Sequence, residues 1–187
     1  MRPDQLDVAT PCAGWALRDL LAHMIGQHYG FGAAARAAVP ATAAATATAA
    51  QPDAAEFAPR PVRADAVAEY RASVEFVLGA FAAPGLLERT MYLAEIRGGM
   101  TFPAPIAIGF HLIDYVVHSW DVARSLGVAV TFDDEVLATA LQIARAVPEE
   151  SKSGTPGAAF APGVDTRSDA TLDRIVAILG RDPDWAP

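Results

Sequence analysis

The sequence predicts a mainly α protein, a helical bundle joined by proline-rich loops, and three observations carry that reading. Apolar residues recur at helical spacing in several separate stretches. The prolines gather between those stretches rather than inside them. Strand-like patterning is confined to one short region. With 187 residues, 52% apolar and 19% charged, the chain is long enough for one well-buried core, so a single domain over 1–187 is expected.

Taken in order, Pro11-Cys12-Ala13-Gly14-Trp15 reads as a loop. A first helix follows from Ala16 to about Val39, free of proline, with Leu17, Leu20, Leu21, Met24, Ile25 and Phe31 at helical spacing. Pro40 ends it. Ala41 to Pro61, rich in Ala-Thr steps and carrying prolines at 52, 59 and 61, has two readings, a poorly ordered linker or a ragged helix, of which the linker is favoured. Asp65 to Ala83 is a second helix through Val67, Tyr70, Val74, Val77, Leu78 and Phe81. Between Pro84 and Pro105, Met91-Tyr92-Leu93 and Thr101-Phe102 flank Arg97-Gly98-Gly99-Met100 as a short hairpin. A third helix runs from Pro105 to Leu126 and stops at Gly127. Asp133 or Asp134 caps a fourth that ends near Val147, residues 148–167 form a loop, and Asp169 to Leu179 is the last helix before Gly180.

Charge narrows the function. Acids outnumber bases 22 to 14, a net charge of -8, which argues against nucleic-acid partners, since phosphate binding needs clustered Lys and Arg. No apolar run reaches the roughly 18 residues of a membrane span, and the N-terminus lacks an apolar signal core, so a cytoplasmic protein is expected. Cys12 is the single cysteine. It reads as a structural thiol, because nothing beside it in sequence activates it.

The chemistry is concentrated on the third helix. His111, Asp114, His118 and Asp121 are separated by steps of three, four and three, which places them on an arc roughly 80° wide. Apart from Ser119, the rest of that helix from Pro105 to Val122 is apolar. A stripe of only imidazole and carboxylate has two readings, half of a metal site or an acid–histidine hydrogen-bond network. Cofactor and metal sites in bundles are built from inward-facing side chains of neighbouring helices, and the first helix offers His23 or His28. Periodicity favours His28, because His23 lies about 120° from the apolar stripe. Imidazole and carboxylate suit zinc, nickel, iron or manganese, and with no cysteine near the stripe in sequence a thiolate-rich structural zinc site is not expected. Asp121 either orients the His118 imidazole or pairs with Arg124 at i, i+3.

Three segments carry a resemblance. Thr10 to His23 (TPCAGWALRDLLAH), Val116 to Arg124 (VVHSWDVAR) and Leu172 to Trp185 (LDRIVAILGRDPDW) resemble the mycothiol-dependent maleylpyruvate isomerase N-terminal family, in its single-domain actinobacterial branch, within the DinB-like superfamily of metal-binding four-helix bundles. The resemblance implies a metal held by a His after the Gly-Trp turn and by a Glu and a His four residues apart on a later helix. Carried onto this chain, the ligands are His23, Asp114 and His118. Asp114 replaces the Glu, so His111 stands as an alternative or additional ligand. Only Met1 to Ala9 precede the first motif, so a fourth bundle helix is expected from Asp134 to Val147, from a partner subunit in a homodimer, or from a segment upstream.

The resemblance implies a divalent metal, zinc or nickel first, and mycothiol as the low-molecular-weight thiol. The expected activity is thiol transfer or isomerisation on a small electrophilic substrate, with thiolate presented at neutral pH and with His111 and Asp121 orienting ligands or carrying protons. It does not extend to maleylpyruvate, because the isomerase uses a further C-terminal domain. A bundle that binds metal or a small ligand without turnover, and a metal-dependent hydrolase, are the other readings of the same residues.

Overall fold

Five α-helices and one small sheet make up the regular structure of the computed structural model, which describes residues 2–42, 51–63, 65–154 and 159–187. The helices are α1 (Leu17–Arg36), α2 (Ala66–Phe81), α3 (Ala104–Leu126), α4 (Asp134–Ala146) and α5 (Thr171–Ile178). The strands are β1 (Val39–Pro40), β2 (Arg89–Leu93) and β3 (Met100–Pro103), antiparallel in the order β1-β2-β3. The protein is mainly α, consistent with a DinB-like helical fold. Two compact units divide the chain: Arg18–His111 with the first residues, and Asp4–Leu17 with Leu112–Pro187.

In the first unit, α1 and α2 are brought together by small residues. Phe31, Ala34, Ala35 and Ala38 of α1 form a buried cluster with Val77 and Ala80 of α2, Met91 and Leu93 of β2, Ala104 and Ala107 of α3, and Phe57. Asp65 caps α2 by accepting from the Ala68 N–H at 3.0 Å, which satisfies one of the free donors of the first turn. The hairpin forms as expected, with Met91 opposite Phe102 and Leu93 opposite Met100. Its turn uses Arg97, Gly98 and Gly99 at positive φ.

Two expectations for this unit are corrected. The first helix stops at Arg36 rather than Val39, because the residue before a proline is pushed toward extended backbone. Val39 and Pro40 instead pair with Thr90 and Arg89 as an edge strand, a place proline tolerates. The supposed linker is also not wholly loose. Residues 43–50 lie outside the described residues, but Ala54–Phe57 makes a turn of 3-10 helix capped by Asp53. Phe57 is buried against α1, where a Cβ on Gly30 would stand 2.3 Å from its ring and one on Gly26 would stand 2.4 Å from the Ala58 carbonyl.

The second unit is built on α3 from Leu112 onward, α4 and α5. Ile113, Val116 and Val117 bury against Ala140 and Ala144 of α4, Phe160, and Ile175 and Leu179 of α5. Helix α5 is shorter than its periodicity suggests, since Ser168 takes the Ala170 N–H at 3.2 Å and donates to Asp173 at 2.6 Å, defining the entry. Both α3 and α5 end in the same way. Gly127 and Gly180 have positive φ, and the residue after each donates to a carbonyl five residues back (Val128 to Ala123 at 3.0 Å, Arg181 to Val176 at 2.9 Å). At α5 this reversal delivers Arg181 into the interior. The Thr10–Trp15 loop is pinned from within: Thr10 Oγ1 donates toward the carbonyls of Cys12 and Trp15 at 3.1 and 3.0 Å, and Gly14 supplies the positive φ.

Candidate metal centre

His118 stands between two carboxylates on its own helix. Its Nε2 lies 3.2 Å from Asp114 Oδ1, one turn earlier, and its Nδ1 lies 2.8 Å from Asp121 Oδ2, one turn later. The steps of four and three residues on a 3.6-residue turn bring both acids to the same imidazole. The ring is buried and Asp114 is half-buried, whereas Asp121 is fully enclosed. Trp15 stacks beside the imidazole, with centroids 6.4 Å apart and planes 24° from parallel.

Behind Asp121 stands a cation. Arg181 Nη2 donates to Asp121 Oδ2 at 3.3 Å and to Cys12 Sγ at 3.4 Å, while its Nη1 donates to the Leu179 carbonyl at 3.0 Å. Asp121 therefore orients His118 and does not pair with Arg124, which donates to the Pro183 carbonyl and lies over the Trp120 ring. Two buried polar atoms, Asp121 Oδ1 and Arg181 Nε, have no hydrogen-bond partner among the described residues.

The charges reinforce one another. Burial works against a protonated His118, but Asp114 and Asp121 outweigh it and raise its pKa to about 9. Burial raises the Cys12 thiol, with Arg181 pulling the other way and Asp121 and Asp114 adding to the rise. Burial also opposes the Arg181 charge, and the Asp121 carboxylate overcomes it, leaving the guanidinium pKa raised.

The expected residues fall into both units. Asp114, His118 and Asp121 come together in the second, with N and O donors of the kind divalent ions take. His23 lies half-buried on α1 in the first. His28 and His111 are also in the first unit, buried, with ring centroids 5.4 Å apart, and His111 sits edge-on to Phe31 and Phe81. Ser73 donates its hydroxyl to the Tyr70 carbonyl at 2.7 Å, so at 2.8 Å it accepts from His28 Nδ1–H. That bond assigns His28 a structural anchor.

Sequence reasoning missed Arg181 and set Cys12 aside. Cys12, His118 and Asp121 each present a ligand atom within 4.8 Å of the others, so the thiol is beside the stripe in space although about a hundred residues from it in sequence. One signal was available for Arg181: it follows directly on a helix-ending glycine inside the third motif, Leu172 to Trp185.

Residues 1–123 match the family described as the mycothiol maleylpyruvate isomerase N-terminal domain. The chain belongs to this family. The mycothiol isomerase N-terminal family match takes in α1, α2, the sheet and most of α3, and with them His23, Asp114, His118 and Asp121. Two relatives come from Mycobacterium tuberculosis, the uncharacterized proteins MT0763 (strain CDC 1551 / Oshkosh) and Rv0738 (strain ATCC 25618 / H37Rv). Each is 30% identical over 186 residues, 97% of this chain and 87% of the relative. No solved structure matches the chain significantly. Among the described residues no helix is long and apolar enough to cross a membrane.

Proposed function

We propose that the chain holds one divalent metal ion through His23, Asp114 and His118 and acts in mycothiol-dependent transfer or isomerisation of a small electrophile. The observation that carries this reading is the Asp114–His118–Asp121 alignment, in which Nε2 faces a half-buried carboxylate while Nδ1 is anchored by a buried one. A ligating histidine with its other nitrogen held by a carboxylate is the arrangement that fixes tautomer and ring orientation at metal sites. When bound, the ion supplies a Lewis acid that lowers the pKa of a thiol sulfur.

The chain's own residues do the rest. Asp121 accepts from Nδ1 and so keeps the Nε2 lone pair available, and Arg181 Nη2 donates to the same Asp121 oxygen at 3.3 Å. Asp114, half-exposed, completes the donor set at the solvent-facing edge of this cluster. His111, buried against His28, is assigned proton transfer rather than ligation.

The test begins with metal analysis of protein purified without added metal and without a nickel-leaching tag, where about one divalent ion per chain is expected for a single three-ligand site. His118→Ala should abolish it, and His111→Asn should leave it intact while lowering turnover. Incubation with mycothiol and a panel of electrophiles should then consume free thiol in wild type and not in His118→Ala. Stoichiometric metal without thiol consumption would replace the transferase with a binding protein. Absence of bound metal would return the stripe to a polar network, for which the His118 imidazolium between two carboxylates is already complete.

A further inference from the structure

We propose that Cys12, His118 and Asp121 form a second cation site, selective for soft, thiophilic divalent ions, that competes with the Asp114 side for the one imidazole. Sulfur, nitrogen and oxygen donors from these three residues lie within 4.8 Å of one another. Around an ion with bonds of about 2.1 to 2.3 Å, such donors stand roughly 3.4 to 3.6 Å apart, so closure requires shifts on the order of 1 Å. A thiolate in the set favours soft ions over hard ones.

Two features beyond the donor set point to a cation here. Asp121 is 0% exposed, yet its Oδ1 has no hydrogen-bond partner among the described residues. A buried carboxylate oxygen left in that state calls for a partner, and an ion bound beside it supplies one. The position is also one where positive charge is already balanced, since Arg181 Nη2 touches both Cys12 Sγ and Asp121 Oδ2. Entry of an ion requires the guanidinium to leave those two contacts, and its Nη1 contact with the Leu179 carbonyl gives it a place to remain.

Competition follows from imidazole chemistry. A neutral ring offers one lone pair and carries one proton. An ion on Nδ1, the nitrogen that Asp121 reaches, leaves the proton on Nε2 facing Asp114; an ion on Nε2 leaves it on Nδ1 facing Asp121. The two occupancies exclude each other, so a soft ion silences the Asp114 side. On binding, the Cys12 S–H and His118 Nδ1–H bonds break, both protons pass to solvent, and sulfur–metal and nitrogen–metal bonds form, with no change of oxidation state. The competition, though not the soft site, rests on the proposed role of Asp114 and His118 in holding the first ion.

The experiment titrates the full chain with Cd2+ and follows the ultraviolet sulfur-to-cadmium charge-transfer absorption. One Cd2+ per chain should produce the band, and Zn2+ should lose affinity as Cd2+ fills the site. Cys12→Ser should remove the band and weaken Cd2+ by at least the roughly tenfold typical of losing even an outer partner of a metal site. Asp114→Asn should keep the band. In wild type, native alkylation of Cys12 should slow on addition of Cd2+, a measurement that needs no variant to fold. No band, or alkylation indifferent to Cd2+, overturns the site. Independent binding of Cd2+ and Zn2+ overturns the competition. Failure of Zn2+ to bind at all, with the band intact, would refute the Asp114 site and spare this one.

Discussion

His118 owes its behaviour to neighbours one turn away on either side. Its pKa is raised from 6.5 to about 9, against the cost of burial, by Asp114 and Asp121. A folded-state pKa above the unfolded value means that the stabilisation is fully present below pH 6.5 and is lost as pH rises through about 9. Metal-free protein should therefore lose stability on the order of 3 kcal/mol across that window, as measured by urea denaturation. His118→Gln should flatten the profile, and a wild-type profile already flat there would show that the carboxylates do not hold the imidazolium. Because an ion on Nε2 must displace a proton, metal affinity should strengthen over the same range. The spacing of Asp114, His118 and Asp121 was legible in the sequence, since one helix sets all three distances. Cys12 and Arg181 were not, because only the two loop reversals at Gly14 and Gly180 bring them to the same carboxylate.

Among the elements, glycines inside helices show how the same residue serves opposite ends. Gly26 lies in α1 where a Cβ would meet the Ala58 and Phe57 carbonyls at 2.4 and 2.8 Å, whereas Gly79 in α2 has nothing within 4 Å. Gly79→Ala should stabilise the protein by about 0.5 to 1 kcal/mol through helix propensity alone. Gly26→Ala should destabilise it by about 1 to 3 kcal/mol, since backbone must move to admit the methyl. Equal and favourable effects of the two substitutions, measured by thermal unfolding, would mean that the Ala54–Phe57 turn is not seated on α1. The helices were readable from their apolar period and their Gly and Pro punctuation. Neither the seated turn nor β1 was: Phe57 is one apolar residue in a biased segment, and a two-residue strand has no period to detect. Each exists because a partner is present, the glycine notch in one case and Thr90 in the other.

On the scale of the molecule, an ion that binds the folded chain and not the unfolded one adds its binding free energy to stability. Free metal at 100 times its dissociation constant should stabilise wild type by about 2.7 kcal/mol, and His118→Ala and Asp114→Asn should lose that increment. His23→Ala should lose it too. If His23→Ala keeps the full increment while the other two lose it, the third ligand comes from elsewhere. Composition, period and three motifs already determined by themselves that the chain is mainly α and belongs with the mycothiol isomerase N-terminal family, as the match over residues 1–123 and the 30% identity across 97% of the chain show. Those properties are written in local spacing and in residue order. The packing of Arg181 and Cys12 on Asp121, the seating of Phe57 on α1 and the anchoring of His28 on Ser73 were decided only by tertiary structure. Each joins residues distant in sequence, and burial, rather than any local propensity, makes their polar atoms find one another.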